Sequence, residues 1–564
     1  MAATFSTLPF SLRPCALAIA LACLNAPIAA QAQQANTADN AGPILESIQV
    51  SSNLLGTSMA ASTKNFAGAR TVVQKDDIEN SGATSLSDVM RRIPGVQISD
   101  NSGSAGSAIS LNIGVRGLAG RYSPRSTVLL DGIPMSVAPY GQPQLSFAPV
   151  SLANVETVDV VRGGGAVRFG PQNVGGIINF KTRRVPTTPG ITGDATVRYN
   201  TYSEVGHNTQ ASVFAGTQLD SGLGLAVLYS GIRGSDWRVG SDEKVNDFAL
   251  KFRYDLSPTA EVYAKLSYYD VTSRTPGGLT AAQYKQDPFQ NTRPTDFWSG
   301  ERKAFDIGYV NAMSNTQEFE VRAYYNKSSR ESTLISGKNL GHQPRNYETT
   351  AIEPRYTQRF ITGKVSQDVT VGYRYLAERA DESIYNVVIA SGVRQAPTRF
   401  ADNSTDAQAV YIDDKIAIDA WRITPGVRYE HIKTERYNHL PTDQKIDLLN
   451  NKALPSLNVA YLLNNNVTLF GNYNSSFGAV QNTQLNAQSS KNPLQPELAK
   501  TAELGARWKS GQLSAEATLF NIKFDNQIQS IGSGENVVFY NVGATHHRGL
   551  ESAVDYHFDK SGPL

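Results

Sequence analysis

Cysteine is almost absent from this chain. Its two cysteines, Cys15 and Cys23, lie in the apolar stretch Cys15–Leu24, which follows a single charge at Arg13 and precedes Ala30–Ala32. A charged start, a short apolar core and a small-residue cleavage site are the three parts of a secretory signal peptide, which we place at residues 1–32. The mature chain then has no thiol, which excludes disulfides and cysteine-based metal sites.

Long apolar runs and an excess of charge of one sign are also missing. Beyond residue 32, no segment approaches the roughly 20 consecutive apolar residues that a membrane-crossing helix needs. The 52 Lys and Arg nearly balance the 50 Asp and Glu. This balance argues against a general nucleic-acid-binding protein, which would carry a clear excess of positive charge.

Motifs for catalysis or for a bound cofactor are missing as well. The sequence has no nucleophile elbow and no catalytic triad, and Gly163-Gly164-Gly165 lacks the Lys-Ser/Thr that a phosphate loop requires. The pair His546-His547 is interpreted as the end of a loop, because Arg548–Glu551 after it opens a strand-like segment. We therefore expect neither an enzyme nor a metal site nor a cofactor.

From about residue 193 onward, apolar and polar side chains alternate along the chain. In one example, an apolar series at every second position (Val262, Ala264, Leu266, Tyr268) is interleaved with a mostly polar one (Tyr263, Lys265, Ser267). A period of two indicates strands with one apolar and one polar face. Repeated in this way, and with 25 Tyr and 21 Phe, the pattern predicts an all-β membrane protein, an antiparallel transmembrane β-barrel with aromatic girdles.

The lengths of the connections support a barrel that crosses an outer membrane. Short turns such as Asp220–Gly222 and Ser314–Thr316 alternate with long polar segments, which we interpret as loops near residues 271–302, 328–351, 378–407, 432–453 and 475–500. Outer-membrane barrels have short periplasmic turns and long extracellular loops, whereas a soluble β-sandwich rarely sorts its loops so strictly. The pattern gives about sixteen strands.

A small glycine-rich β-domain precedes the barrel. Within Ile113–Arg183, β-branched runs (STVLL, VETVDVV, GGIINF) alternate with turns such as Asp131-Gly132, and Ile93–Val96 (IPGV) lies just before. The pattern resembles the plug domain of TonB-dependent outer-membrane receptors. The segments APYGQPQLSFAPVSL and VVRGGGAVRFGPQNVGG narrow the resemblance to the ferric citrate receptors of that family. It extends from about Gln49 to the last residue.

The resemblance also implies how the chain is organised. We expect a signal peptide at 1–32, a polar periplasmic lead with a TonB box at 33–50, a globular plug at 51–186 inside the barrel, and the barrel at 187–564. The family has 22 strands. The count of about sixteen strands in this sequence therefore predicts a chain that is truncated at its C-terminus. The short lead leaves no room for the signalling domain of some ferric citrate receptors, so we expect transport without transcriptional signalling.

Three arginines of the long polar segments are candidates for binding an anion. A strand of about 9–11 residues that rises from the Ser314–Thr316 turn reaches the outer surface near Ser328, which places Arg330 just outside the membrane. Arg345 lies in the same segment and Arg399 in the next. A guanidinium keeps its charge and can bind a carboxylate through two parallel hydrogen bonds. On the pattern alone, the three either converge on a polyanion or are solvated loop residues.

The resemblance implies that these arginines hold ferric citrate. The segment Ser329–Tyr347 matches the one that carries two ligand arginines of the family, at Arg330 and Arg345, and counting back from Tyr411 places Arg399 on the third.

The resemblance also assigns ligand contacts to the plug. Gln142 matches a ligand-facing glutamine, and Ser104 lies where the family has a threonine. Gly532 is a departure, since the family has a contacting glutamine there, so a related ferric tricarboxylate also fits.

Two further groups of residues are assigned by position and resemblance. The TonB box of the family is resembled by a short segment formed by Glu46, Ser47, Ile48, Gln49 and Val50. A TonB box pairs by β-augmentation with a strand of the periplasmic partner TonB. The alternative is that this segment is a plain linker strand. The plug motifs IGVRG, VVRGGG and AVRFG contribute a second group (Arg116, Arg162, Arg168), which we expect to be structural and to pair with carboxylates of the barrel wall.

The sequence therefore predicts a transporter of the bacterial outer membrane, a monomer surrounded by lipid, that imports ferric citrate with energy delivered by TonB. Iron is the cargo, carried as its citrate chelate. One alternative is a receptor for another ferric carboxylate or a hydroxamate siderophore. Alternatives from other classes are a passive porin-type channel and an adhesin or phage-binding protein.

Overall fold

The computed structural model describes residues 63–98, 111–118, 125–145, 148–163, 167–170, 172–202, 204–486, 488, 493–532 and 537–557. The predicted TonB box at 46–50 and the predicted ligand contact Ser104 lie outside these residues. Among the described residues, no helix is long and apolar enough to cross a membrane.

The N-terminal part folds around a five-stranded mixed sheet in the order β1-β6-β7-β4-β5, and a separate two-stranded ribbon joins β2 to β3. Its elements are β1 Arg70–Gln74, α1 Lys75–Asn80, α2 Leu86–Met90, β2 Val96–Ile98, β3 Ile113–Val115, β4 Ser126–Leu130, β5 Ile133–Pro134, a 3-10 turn Leu152–Asn154, β6 Val155–Arg162 and β7 Gly176–Thr182. The apolar faces of the sheet and both helices share one core, which includes Met90, Val158 and Phe180. This part has its own hydrophobic core, as a globular plug requires.

The remainder forms an antiparallel barrel in which strands follow one another in chain order. Within the described residues it contains seventeen strands, of which one is short: β8 Gly190–Thr201, β9 His207–Gln218, β10 Leu223–Ser235, β11 Asp242–Ser257, β12 Ala260–Arg274, β13 Phe297–Ser314, β14 Gln317–Ser336, β15 Asn339–His342, β16 Arg345–Thr362, β17 Val365–Val388, β18 Arg399–Ile418, β19 Trp421–Leu440, β20 Gln444–Leu462, β21 Val467–Gly478, β22 Glu497–Ser510, β23 Leu513–Asp525 and β26 Thr545–Tyr556. Helices α3 Ala281–Gln286 and α4 Asn482–Asn486, and a ribbon of β24 Ile528–Ile531 with β25 Val538–Asn541, lie in the connections.

The predicted alternation is confirmed, and its apolar face points outward. On β12, Leu266 is 51% exposed on the barrel surface, whereas the neighbouring Lys265 is 8% exposed and faces the interior. This arrangement is the reverse of a soluble protein and is what lipid requires.

Three of the predicted loops are wrong in extent. Residues 328–351, 378–407 and 432–453 are largely strand, because β14, β16, β17, β18, β19 and β20 continue past the apolar band and leave connections only at 337–338, 343–344, 389–398 and 441–443. In these extensions both faces of a strand meet polar surroundings, so the period-two pattern is lost while backbone pairing continues. The extensions carry the candidate ligand residues.

Candidate ligand-binding site

The three predicted arginines lie on neighbouring strand extensions at one end of the barrel. Arg330 of β14 and Arg345 of β16 are direct partners in the antiparallel register. On its other side Arg345 is opposite Glu382 of β17, and Arg399, the first residue of β18, is opposite Ile384 of the same strand. Since β14 begins at the tight turn after Ser314, this end of the barrel is the one opposite the short turns.

A carboxylate lies among these arginines. Glu382 Oε2 is 3.7 Å from Arg345 Nε, and its Oε1 accepts a hydrogen bond of 2.5 Å from Arg436 Nη2. Arg399 acts electrostatically on the same carboxylate. The site therefore contains a fourth arginine and one negative charge that balances part of the positive charge.

Tyr347 connects the arginines to the plug. Its hydroxyl donates a hydrogen bond of 2.7 Å to Gln142 Oε1, and both Arg330 and Arg345 interact electrostatically with this tyrosine. Gln142 is only 4% exposed. The predicted plug contact and two of the predicted barrel contacts thus belong to one connected polar network.

Arg330 also lies over an aromatic ring. Its guanidinium carbon is 4.3 Å from the centre of the Trp298 ring on β13, a geometry in which a cation is stabilised by the negative face of the ring. The indole therefore fixes the position of Arg330 at the edge of the site.

Four residues of this site escaped the sequence analysis (Trp298, Tyr347, Glu382 and Arg436). Tyr347 is the last residue of the segment Ser329–Tyr347, which resembles the family, so the resemblance alone could have indicated it. The other three lie in strand extensions that were interpreted as solvated loops, and no motif marks them. Gly532 follows β24 and is exposed.

The plug loop beneath Gln142 is fixed to the barrel wall. The backbone N–H groups of Tyr140 and Gly141 donate to the two oxygens of Glu378, at 2.7 and 2.9 Å. The Tyr140 hydroxyl donates to Glu430 at 2.8 Å and accepts from Arg374 at 2.6 Å. The loop that carries Gln142 is therefore tied to buried charges of the wall.

The prediction that the plug arginines pair with wall carboxylates is confirmed. Arg116 contacts Glu503 at 2.5 Å and Glu551 at 3.1 Å; Arg168 contacts Asp413 at 2.6 Å and Arg162 contacts Glu516. A further pair, Arg125 with Glu497 at 2.6 Å, was not predicted. Most of these groups are almost fully buried, so each pair holds the plug against the wall.

Two glycines explain why the motifs around Arg116 have their composition. A Cβ atom at Gly95 would lie 1.9 Å from Glu551 Oε1, and one at Gly163 would lie 1.7 Å from Glu503 Oε1. Both glycines also have positive φ, 72° and 84°, which side chains other than glycine rarely adopt. The IPGV and VVRGGG motifs thus make room for the carboxylates that reach Arg116.

No group of three or more His, Cys, Asp or Glu side chains with a geometry suited to a metal ion occurs among the described residues. The site is built from guanidinium, amide, phenol and carboxylate groups.

Two family models match this chain over most of its length. The one described as TonB dependent receptor-like, beta-barrel, matches residues 247–562, and the one described as TonB-dependent Receptor Plug Domain matches residues 62–177. The chain belongs to the TonB-dependent receptor family. It is accordingly an outer-membrane protein, as predicted.

Among solved structures, this TonB-dependent receptor is similar to the ferric citrate transporter FecA in its unliganded form. The two are 41% identical, with a TM-score of 0.83, and the match covers 90% of this chain and 77% of that one. The siderophore receptor PiuA from Acinetobacter baumannii has the same fold at 17% identity and a TM-score of 0.72, covering 89% of this chain and 79% of PiuA.

Curated relatives of this receptor include vitamin B12 transporters. The BtuB proteins of Vibrio cholerae are 28% identical over 265 residues, 45% of this chain and 40% of the relative. The BtuB of Vibrio vulnificus is 24% identical over 422 residues, 73% of this chain and 61% of the relative. The matches thus span less than two thirds of these relatives.

Proposed function

We propose that this receptor imports ferric citrate across the outer membrane in a TonB-dependent step. The observation that carries the proposal is the grouping of Arg330, Arg345 and Arg399 on neighbouring strand extensions, with Gln142 of the plug joined to them through Tyr347. The 41% identity to a protein named as a ferric citrate transporter supports the same cargo.

The chemistry of the site suits a polycarboxylate chelate. Each guanidinium offers paired N–H donors to a carboxylate, and charge-assisted hydrogen bonds are about twice as strong as neutral ones. The citrate oxygens already ligate the iron, so the protein needs to match only the negative charge and the shape of the complex. A polycarboxylate chelate matches the excess of arginines in the site better than a neutral or cationic cargo would.

Import requires a link from this site to the periplasm. We infer that ligand contact at Gln142 acts on the plug loop fixed by Tyr140, and that the segment Glu46–Val50 pairs with a strand of TonB by β-augmentation. Force on that strand then opens a route past the plug. Since main-chain hydrogen bonds supply the affinity in this mode, a residue without an N–H should break it.

Other functions make different demands on the molecule. A passive porin needs an open lumen, whereas here buried ion pairs hold a plug inside the barrel. A ferric hydroxamate or vitamin B12 carries fewer carboxylates for the group of arginines around Glu382 to bind. Another ferric carboxylate remains the nearest alternative cargo.

Substituting Ile48→Pro should abolish uptake of radioactive iron as ferric citrate while leaving binding of ferric citrate to the receptor unchanged. Proline removes the backbone N–H on which strand pairing with TonB depends. The measurement is iron uptake by cells that lack their own ferric citrate receptor and express this one, with a parallel binding assay on the same cells.

The matched control is Ile48→Val, which keeps both the N–H and the β-branched side chain and should transport normally. Uptake that persists in Ile48→Pro cells, or in cells without TonB, would contradict energy-dependent import and favour a passive channel. Uptake of a ferric hydroxamate or of vitamin B12 in preference to ferric citrate would leave the transporter in place and reassign its cargo.

A further inference from the structure

Glu382 occupies the position among the arginines that a ligand carboxylate needs. Its two oxygens face different arginines, Arg345 at 3.7 Å and Arg436 at 2.5 Å. Glu382 is 8% exposed, so its charge is only weakly screened by solvent. The protein thus places its own carboxylate where the proposed cargo would bring one.

The two arginines hold this carboxylate unequally. Arg436 is fully buried, and its Nε and Nη1 donate to the side-chain oxygens of Asn438 and Asn403 at 2.8 and 2.9 Å. Its remaining donor, Nη2, is directed at Glu382. Arg345 makes the longer of the two contacts with Glu382, also interacts with Tyr347, and has a side chain that is 16% exposed. Glu382 is therefore fixed from the Arg436 side and loosely joined to Arg345.

The unequal contacts of Glu382 with Arg436 and Arg345 determine which anions can bind. An incoming carboxylate can take Arg345 while Glu382 stays on Arg436, but it then lies next to the negative charge of Glu382. Like charges a few ångströms apart in a poorly solvated site repel strongly. A ligand gains enough to offset this repulsion only if its other carboxylates reach Arg330 and Arg399 at the same time.

We propose that Glu382 is a specificity-determining residue of the ligand site, an internal competitor that rejects small carboxylates and admits polycarboxylate chelates wide enough to span three strands. The proposal rests on the function proposed above and adds the means by which iron-loaded citrate is distinguished from iron-free citrate. Glu382 acts by its charge, and Arg436 with its two asparagines serves to hold that charge in place.

The test is Glu382→Gln in the full chain, titrated with ferric citrate, with iron-free citrate and with propane-1,2,3-tricarboxylate. Glutamine keeps an acceptor for Arg436 and removes the charge. We expect binding of the two iron-free tricarboxylates to tighten by about tenfold and binding of ferric citrate to change less, so that selectivity for the iron complex falls. Glu382→Asp, which keeps the charge, should retain the selectivity.

Asp381→Asn is the matched control. Asp381 is the exposed neighbour on β17, where it accepts a hydrogen bond from Asn346 at 2.9 Å, so this variant removes one negative charge at the same height outside the site. It should bind all three ligands like the wild type, and thermal unfolding confirms that each variant is folded.

Unchanged or weaker binding of iron-free citrate to folded Glu382→Gln would overturn the inference, as would an equal gain in Asp381→Asn. If the wild type binds no ferric citrate, the proposed cargo fails. A gain in iron-free citrate binding by Glu382→Gln would then still support the role of Glu382.

Discussion

Replacing Arg345 by alanine should weaken ferric citrate binding about 100-fold, because removing one partner of a poorly solvated charge pair costs about 2–5 kcal/mol. Arg345 is the central cation of the site, with Arg330 opposite it on one side and Glu382 on the other. Its removal takes away one proposed ligand contact and leaves the negative charge of Glu382 with one neighbouring arginine fewer. Isothermal titration of the purified receptor measures the change.

The control for this prediction is Arg394→Ala. Arg394 is an exposed arginine of the connection between β17 and β18, where it lies over the Tyr385 ring at 3.9 Å. Removing it lowers the net positive charge equally, so any general electrostatic attraction falls by the same amount. A loss in Arg394→Ala equal to that in Arg345→Ala would mean that overall charge, and not the site, determines binding.

Replacing Arg116 by methionine should loosen the plug against the barrel wall and lower stability by about 3–5 kcal/mol, because it leaves the carboxylates of Glu503 and Glu551 buried without their arginine. The Arg116 side chain is fully buried between them. Burial lowers the pKa of Arg116, but the two carboxylates outweigh this effect and the net shift is upward. Thermal unfolding measures the loss of stability, and entry of a large hydrophilic antibiotic into cells measures leakage.

The backbone conformation of Arg116 also indicates that its ion pairs stabilise the plug. Its φ is +57°, a left-handed conformation that costs a non-glycine residue energy. The ion pairs offset this cost, so Arg116→Gly should relieve the backbone and still leak. Arg91→Met is the matched control on the plug surface, since Arg91 is exposed at the C-terminal end of α2 and lies 3.6 Å from Asp88. A stable, tightly sealed Arg116→Met protein would contradict the assigned role.

Features with a local signal in the sequence were predictable. The alternation around Leu266 indicated which face meets lipid, because each position is set by the strand period alone. The glycine-rich motifs indicated the plug, and the plug arginines were correctly expected to pair with the wall. The partners Glu503 and Glu551 were not named, since the register that brings β22 and β26 to Arg116 depends on the whole barrel.

Features that depend on pairing outside the lipid band were not predictable. Residues 432–453 contain polar side chains on both faces, which in sequence looks like a solvated loop, yet they form a nearly continuous hairpin of β19 and β20. Arg436 lies in this hairpin, and its contact with Glu382 crosses two strand pairings. Nothing within either segment marks that contact, so the balancing carboxylate of the site emerged only from the structure.

Recognition of ferric citrate by the site arginines can be measured by equilibrium binding of ferric citrate to the full chain. The wild type is compared with Arg330→Ala/Arg345→Ala/Arg399→Ala, and a ferric hydroxamate is titrated in parallel. We expect tight binding of ferric citrate by the wild type, loss of this binding in the triple variant and no binding of the hydroxamate by either protein. Equal binding of ferric citrate by the two proteins would contradict the arginine site, and a wild type that binds only the hydroxamate would contradict the cargo.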